Sequence, residues 1–150
     1  QRYPPSASLP TAPVPTEYLN GCSSYRREVI AQTKFDPILN TQSLCEDLDL
    51  SYRVSHSHDL KVIPEAKLTH HRSPRNRQSI TRYARKMVVH RYWLVCKHDL
   101  SKVAFWWSVL GQFGARLLSS QSTKWVSLNG LLQGIACILR NNSPLLSSPK

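Results

Sequence analysis

Three carboxylates crowd into four residues at Glu46, Asp47 and Asp49. A carboxylate held within hydrogen-bond reach of a hydroxyl takes its proton as the oxygen attacks an electrophile. The apolar spacing predicts a helix from Glu46 to about Ser55, with Leu48, Tyr52 and Ser55 on one face and Leu50 and Val54 flanking it. Neighbours on a helix are about 100° apart, so Asp47 and Asp49 point to different faces. One of them is thus able to face a site while another braces the fold. The plainer reading is capping, because carboxylates in a first turn are favoured by the helix dipole and its free N–H groups. Composition alone prefers capping.

The other residue types with chemistry are histidine, cysteine and the basic run. His70 and His71 close an alternating stretch, Ala66 to His70, that reads as an edge strand. Adjacent residues in a strand point to opposite faces, so at most one of the pair faces the acidic helix. His56 and His58 fall in a Ser-rich loop and read as surface residues. Cys22, Cys45, Cys96 and Cys137 form no C-x-x-C pair, which argues against zinc and thioredoxin-like chemistry. They read as reduced, partly buried thiols of a cytosolic protein. No basic segment followed by an apolar stretch opens the sequence, so no secretory signal is read.

The elements that must position these groups are short in the first half and long in the second. Residues 1–16 hold five prolines and read as an extended or disordered lead-in. Tyr18 to Cys22 reads as a short strand entering a turn at Gly21. Ser23 or Ser24 is placed to cap a helix from Tyr25 to about Gln32, which Phe35-Asp36-Pro37 ends. Residues 38–45 read as loop. Leu60 to Pro64 reads as a strand. Beyond the start signal Ser73-Pro74, apolar residues recur at helical spacing from Ile80 to Val95. Two more apolar helices are predicted at 102–118 and 125–139, then a tail over 141–150.

Several blocks in order carry more information than any one of them. Gly21-Cys22-Ser23-Ser24-Tyr25-Arg26-Arg27-Glu28-Val29 is followed by Phe35-Asp36. Then come Glu46-Asp47-Leu48-Asp49-Leu50-Ser51-Tyr52-Arg53, Pro64-Glu65-Ala66 and His70-His71. This series resembles family 2 glycosyltransferases of the bacterial type, which move sugars from nucleotide donors to glycans or lipid-linked acceptors. The resemblance covers residues 17–72.

It implies an α/β fold: a partial GT-A catalytic domain over 17–75 that lacks its N-terminal, donor-binding half, followed by amphipathic α-helices over 76–140. It implies an inverting transfer with Asp47 as general base and Glu46 as its catalytic partner. Gly21, Asp49 and Arg53 are then the substrate-binding residues, with Arg53 either a brace or a positive group near the donor diphosphate. His70, or His71 if the strand slips by one residue, is implied as a ligand to a divalent metal, Mg or Mn. The partners implied are a nucleotide-sugar donor and a glycan or lipid-linked acceptor. Relatives carry their nucleotide-binding strands and a D-x-D-type metal motif ahead of this region. No such segment is read here, so the main carboxylate ligands of the metal are absent. Activity is expected of a longer enzyme to which this stretch belongs.

Charge adds a second theme. Of 150 residues, 20 are Lys or Arg and nine Asp or Glu. Residues 1–60 carry five basic and seven acidic side chains, whereas 61–150 carry fifteen and two. Arg72, Arg75, Arg77, Arg82, Arg85, Lys86 and Arg91 concentrate that surplus. They form either the solvated face of an amphipathic helix or a surface for anionic phospholipid or a lipid-diphosphate acceptor. Nucleic acid is disfavoured, because the stretch holds no helix-turn-helix, zinc or RNA-binding aromatic signature. Segment 102–118 contains Lys102, Gln112 and Arg116 and falls short of the roughly 20 apolar residues a span needs. Its Trp106 and Trp107 suit either the membrane interface or burial against protein. The expected location is cytoplasmic, with peripheral contact at the inner face of the cell membrane. The rival to the enzyme is a non-catalytic basic module that binds anionic membrane or nucleic acid.

Overall fold

The computed structural model describes residues 11–19, 21–39, 44–67, 69 and 79–147. The chain divides into two compact units, one from 1–37 and 46–72, the other from 38–45 and 73–150.

In the first unit, strand β1 (Val14–Pro15) pairs antiparallel with β2 (Lys61–Val62), Val14 opposite Val62 and Pro15 opposite Lys61. This two-stranded ladder is the whole of the sheet structure among the described residues. It overturns the expectation of an α/β GT-A fold, which needs a central sheet; the described chain is mainly helical. The physical reason lies in the ladder. A strand persists when a neighbour takes up its N–H and C=O groups. Pro15 and Pro64 have no N–H to offer. The backbone of Leu19, within the expected strand from Tyr18 to Cys22, instead bonds to the hydroxyl of Ser51. The expected strand from Leu60 to Pro64 shrinks to its two paired residues. Of the expected edge strand, Ala66, Lys67 and Thr69 are described and none is extended in a ladder.

Two helices complete this unit. Helix α1 (Arg27–Thr33) starts two residues later than the sequence suggests, and neither Ser23 nor Ser24 caps it: its N-cap is Arg26, with no side-chain cap. Helix α2 (Glu46–Ser55) buries Leu50 and Val54, one turn apart, against Val29 and Leu60. Leu48 and Tyr52, expected to lead the apolar face, are only half-buried. A 3-10 turn, Pro37–Leu39, falls within the stretch read as loop.

The second unit is built on three long helices. Helix α3 (Ile80–Lys97) is capped by Ser79, whose Oγ accepts from the N–H of Arg82 at 3.3 Å. Helix α4 (Lys102–Leu117) is capped by Ser101, whose Oγ accepts from Ala104 N–H at 3.2 Å. Helix α5 (Lys124–Leu139) is followed by the short α6 (Pro144–Ser147). The main contact is α3 against α5. It is close because α5 presents Gly130 and Gly134, one turn apart, to α3. A Cβ on Gly130 would lie 2.3 Å from the carbonyl oxygen of Thr81 and 2.9 Å from Ala84 Cβ. A Cβ on Gly134 would lie 3.0 Å from both Arg85 O and Val88 Cβ.

Helix α4 packs Phe105 and Val109 inward, with the Tyr92, Phe105 and Trp106 rings clustered at 5.1–6.1 Å. Its other face leaves Val103, Trp107 and Leu110 exposed. Among the described residues no helix is long and apolar enough to cross a membrane.

Candidate active site

The site is built on α2. Its first turn holds Glu46, Asp47 and Asp49, and the three carboxylates have different surroundings. Asp49 is fully buried, and its Oδ2 accepts from Arg53 Nε at 3.0 Å and Nη2 at 2.9 Å, one turn along the helix. The same guanidinium donates from Nη1 to Thr33 O at 2.5 Å and from Nη2 to Lys34 O at 2.7 Å. Those carbonyls lie at the end of α1, where helical backbone has no partner of its own. Lys34 turns into the left-handed region there, at φ 48°. Asp49 and Arg53 therefore tie the start of α2 to the end of α1. This occupies the carboxylate and the guanidinium that the resemblance assigns to substrate.

Asp47 is only half-buried. Its carboxyl is raised above the ordinary aspartate range, first by burial and then by the negative charge of adjacent Glu46. Loss of hydration disfavours the charged form, and a like charge disfavours it further. Gly21 stands beside this group. A methyl group at Gly21 would sit 3.4 Å from Asp47 Oδ2, an ordinary contact distance. Gly21 is not in the left-handed region. Its missing side chain therefore matters for the space over the carboxylate, not for the backbone.

Ser51, one turn after Asp47, holds Gly21 in that place. Its Oγ accepts from Leu19 N–H at 2.9 Å and donates to Leu19 O at 3.2 Å. With that donor spent, the Tyr25 hydroxyl at 3.3 Å is the one that donates to Ser51 Oγ. Ser51 is fully buried and bonds the segment two residues ahead of Gly21. Sequence reasoning includes it in the acidic block but gives it no role. The signal was available: a hydroxyl at i+4 from Asp47 on a helix that otherwise buries leucine and valine, since buried polar groups are there to be bonded.

A cavity in this unit lies along the chain from Gly21 and has a volume of about 330 Å³. Its lining includes Leu19, Cys22, Ser23, Ser24 and Lys61; Asp47 is not part of it. His70 and His71 lie outside the described residues. Among the described residues no three His, Cys, Asp or Glu side chains converge as ligands of a metal ion would. With Asp49 committed to Arg53, the carboxylates near Asp47 do not make a fitting metal cradle. His56 and His58 are exposed, bonded to Tyr52 O at 2.7 Å and Ser57 Oγ at 2.8 Å. The four cysteines form no disulfide, and the Cys137 thiol donates to Asn142 O at 2.7 Å.

Comparison of the chain with protein-family models, with curated proteins and with solved structures returns no match.

Proposed function

We propose that this chain carries the acceptor-side part of a sugar-transfer site of the family 2 glycosyltransferase type, with Asp47 as general base. The reading is carried by one observation: of the two aspartates, Asp49 is locked to Arg53 while Asp47 stands half-buried beside Gly21 with its proton held more tightly than usual. A carboxylate whose affinity for protons is raised is a stronger base. In the proposed step the acceptor hydroxyl gives its proton to Asp47 as its oxygen bonds to the anomeric carbon. The bond from that carbon to the diphosphate oxygen breaks in line, with inversion, and the nucleoside diphosphate leaves. Burial, and after it the charge of Glu46, keeps Asp47 basic. Asp49, Arg53 and Ser51 fix α2 and the Gly21 segment around it. The donor half is supplied by the rest of a longer enzyme.

The test is Asp47→Asn in the longest reading frame that contains this chain, assayed with a panel of nucleotide sugars. Transfer falls by about two to four orders of magnitude, while nucleotide-sugar affinity stays within about twofold of the parent, well under the tenfold that 1.4 kcal/mol represents. Unchanged turnover removes Asp47 as the base.

A second reading is favoured by the exposed apolar stripe on α4, where Val103 is 82% and Trp107 76% exposed. In that reading the helical unit rests on an anionic membrane surface, at the cytoplasmic face. Salt-sensitive binding to anionic vesicles is its test.

A further inference from the structure

A second cavity, of about 250 Å³, opens in the helical unit, and its lining includes Arg82, Arg85, Lys86, His90, Ser143 and Leu145. The three cations sit at i, i+3 and i+4 on α3, which places them on one face of the helix. Like charges at that spacing destabilise a helix unless something neutralises them. Helix α3 itself carries no acidic residue. Residues 38–45 and 73–150 contain a single acidic residue, Asp99, beyond the far end of α3. The ion pairs of Arg53 with Asp49 and of Lys61 with Asp59 both lie in the other unit.

The rest of the lining is suited to holding a ligand in place. His90 is fully buried, and its Nδ1 is fixed at 2.9 Å from Leu44 O. The floor is apolar, with Val89 buried and Leu145 buried beside it. A single water needs about 10–15 Å³ of such space, so the cavity admits a group of several heavy atoms.

We propose that this cavity binds a phosphate or diphosphate group, free or at the head of a lipid, through Arg82, Arg85 and Lys86. Guanidinium forks match phosphate oxygens two at a time, and an ammonium adds a compact charge. The cost of keeping Lys86 charged is visible in its depressed affinity for protons, caused first by burial and then by Arg82. The negative charge of a bound anion opposes both effects by favouring the ammonium form. This inference goes beyond the sugar-transfer reading and does not depend on it, because every residue it uses belongs to the helical unit.

The experiment is a titration of the full 150-residue chain with sodium pyrophosphate at constant ionic strength, followed by two-dimensional 15N NMR. The expected result is saturable shifts at the amides of residues 82–90 and 137–145, with residues 103–110 on α4 unmoved. The pair Arg82→Gln with Lys86→Gln weakens binding by about tenfold or more, since each lost bond to a charged group is worth over 1 kcal/mol. The pair Lys102→Gln with Lys124→Gln removes the same charge from α4 and α5 and leaves affinity within about twofold. Absence of saturable shifts in the parent chain overturns the proposal, as does equal weakening by both pairs, which is the mark of diffuse attraction. Vesicles containing phosphatidic acid separate the two sources. Vesicle binding that pyrophosphate displaces and the Arg82, Lys86 pair abolishes supports a lipid headgroup. Pyrophosphate binding that vesicles leave untouched supports a soluble phosphate.

Discussion

At the residue scale, α2 shows how three neighbouring acids come to do different work. Asp49 is buried and needs a partner, because an unpaired buried charge is costly. Arg53 is that partner and in turn closes the end of α1. Removing the arginine takes the ion-pair partner from a fully buried carboxylate, so Arg53→Ala should lower stability by about 3–5 kcal/mol. Chemical denaturation of this unit checks it; a loss below about 1 kcal/mol would mean that the pair behaves as an exposed one. Asp47 behaves in the opposite sense. Its carboxyl binds protons more tightly folded than unfolded, so the folded state holds the extra proton between the two values. Stability from this group is therefore fully present below the ordinary aspartate range and lost as pH rises through the raised value. Asp47→Asn should raise the melting temperature at neutral pH, and the gain should vanish below about pH 3. A gain that persists in acid would trace to something other than this charge. A carboxylate kept charged at the expense of stability is a common mark of functional sites.

At the element scale, the contact of α3 with α5 rests on two absent side chains. Gly130→Ala puts a methyl group 2.3 Å from the Thr81 carbonyl oxygen, where backbone must move. The expected loss is about 1–3 kcal/mol or more. Helix α4 provides the internal control, since a Cβ at Gly111 or Gly114 would meet nothing within 4 Å. Gly111→Ala should stabilise by about 0.5–1 kcal/mol, as alanine does for an exposed helical glycine. Thermal unfolding of the two variants should therefore move in opposite directions. The two glycines of α5 were open to reading in the sequence, at four-residue spacing inside an apolar run. The run was read only as apolar, and nothing in hydropathy says which helix comes within backbone distance. Helix α2 was legible to its ends, Glu46 and Ser55, because acids at its start and leucine and valine one turn apart are local signals. Of the expected strands, Leu60–Pro64 holds one, shortened to Lys61–Val62, and the others do not form among the described residues. Tyr18–Cys22 and Ala66–His70 show the composition of strands, but pairing depends on distant residues, and Leu19 found Ser51 instead. At the site, Asp47 and Gly21 were both legible as candidates. Their adjacency was not, because it depends on the buried hydroxyl of Ser51.

At the scale of the whole molecule, the positive charge of the chain and its most exposed apolar residues fall in the same part of the sequence. Residues 61–150 carry fifteen basic side chains against two acidic ones. The helical unit also leaves Trp107, Leu118, Trp125 and Leu139 from 65% to 90% exposed. Scattered exposed apolar residues need no explanation, but Val103, Trp107 and Leu110 recur at i, i+4 and i+7 along α4 and form a stripe. Aromatic and aliphatic side chains on one helical face, with Lys102 at the helix start, suit a lipid interface. There each basic residue near an anionic surface adds about 1 kcal/mol. The expected outcome is sedimentation of the chain with vesicles rich in phosphatidylserine at low salt. Binding should fall steeply as ionic strength rises and the Debye length shrinks from about 30 Å at 0.01 M to about 8 Å at 0.15 M. Two effects are then separable. Trp107→Gln removes apolar insertion and should weaken binding at every salt concentration, whereas Lys102→Gln should matter only at low salt. Binding unaffected by Trp107→Gln, or equal on neutral phosphatidylcholine vesicles, would return the stripe to a protein-facing role. A loss confined to low salt in both variants would assign the attraction to charge alone.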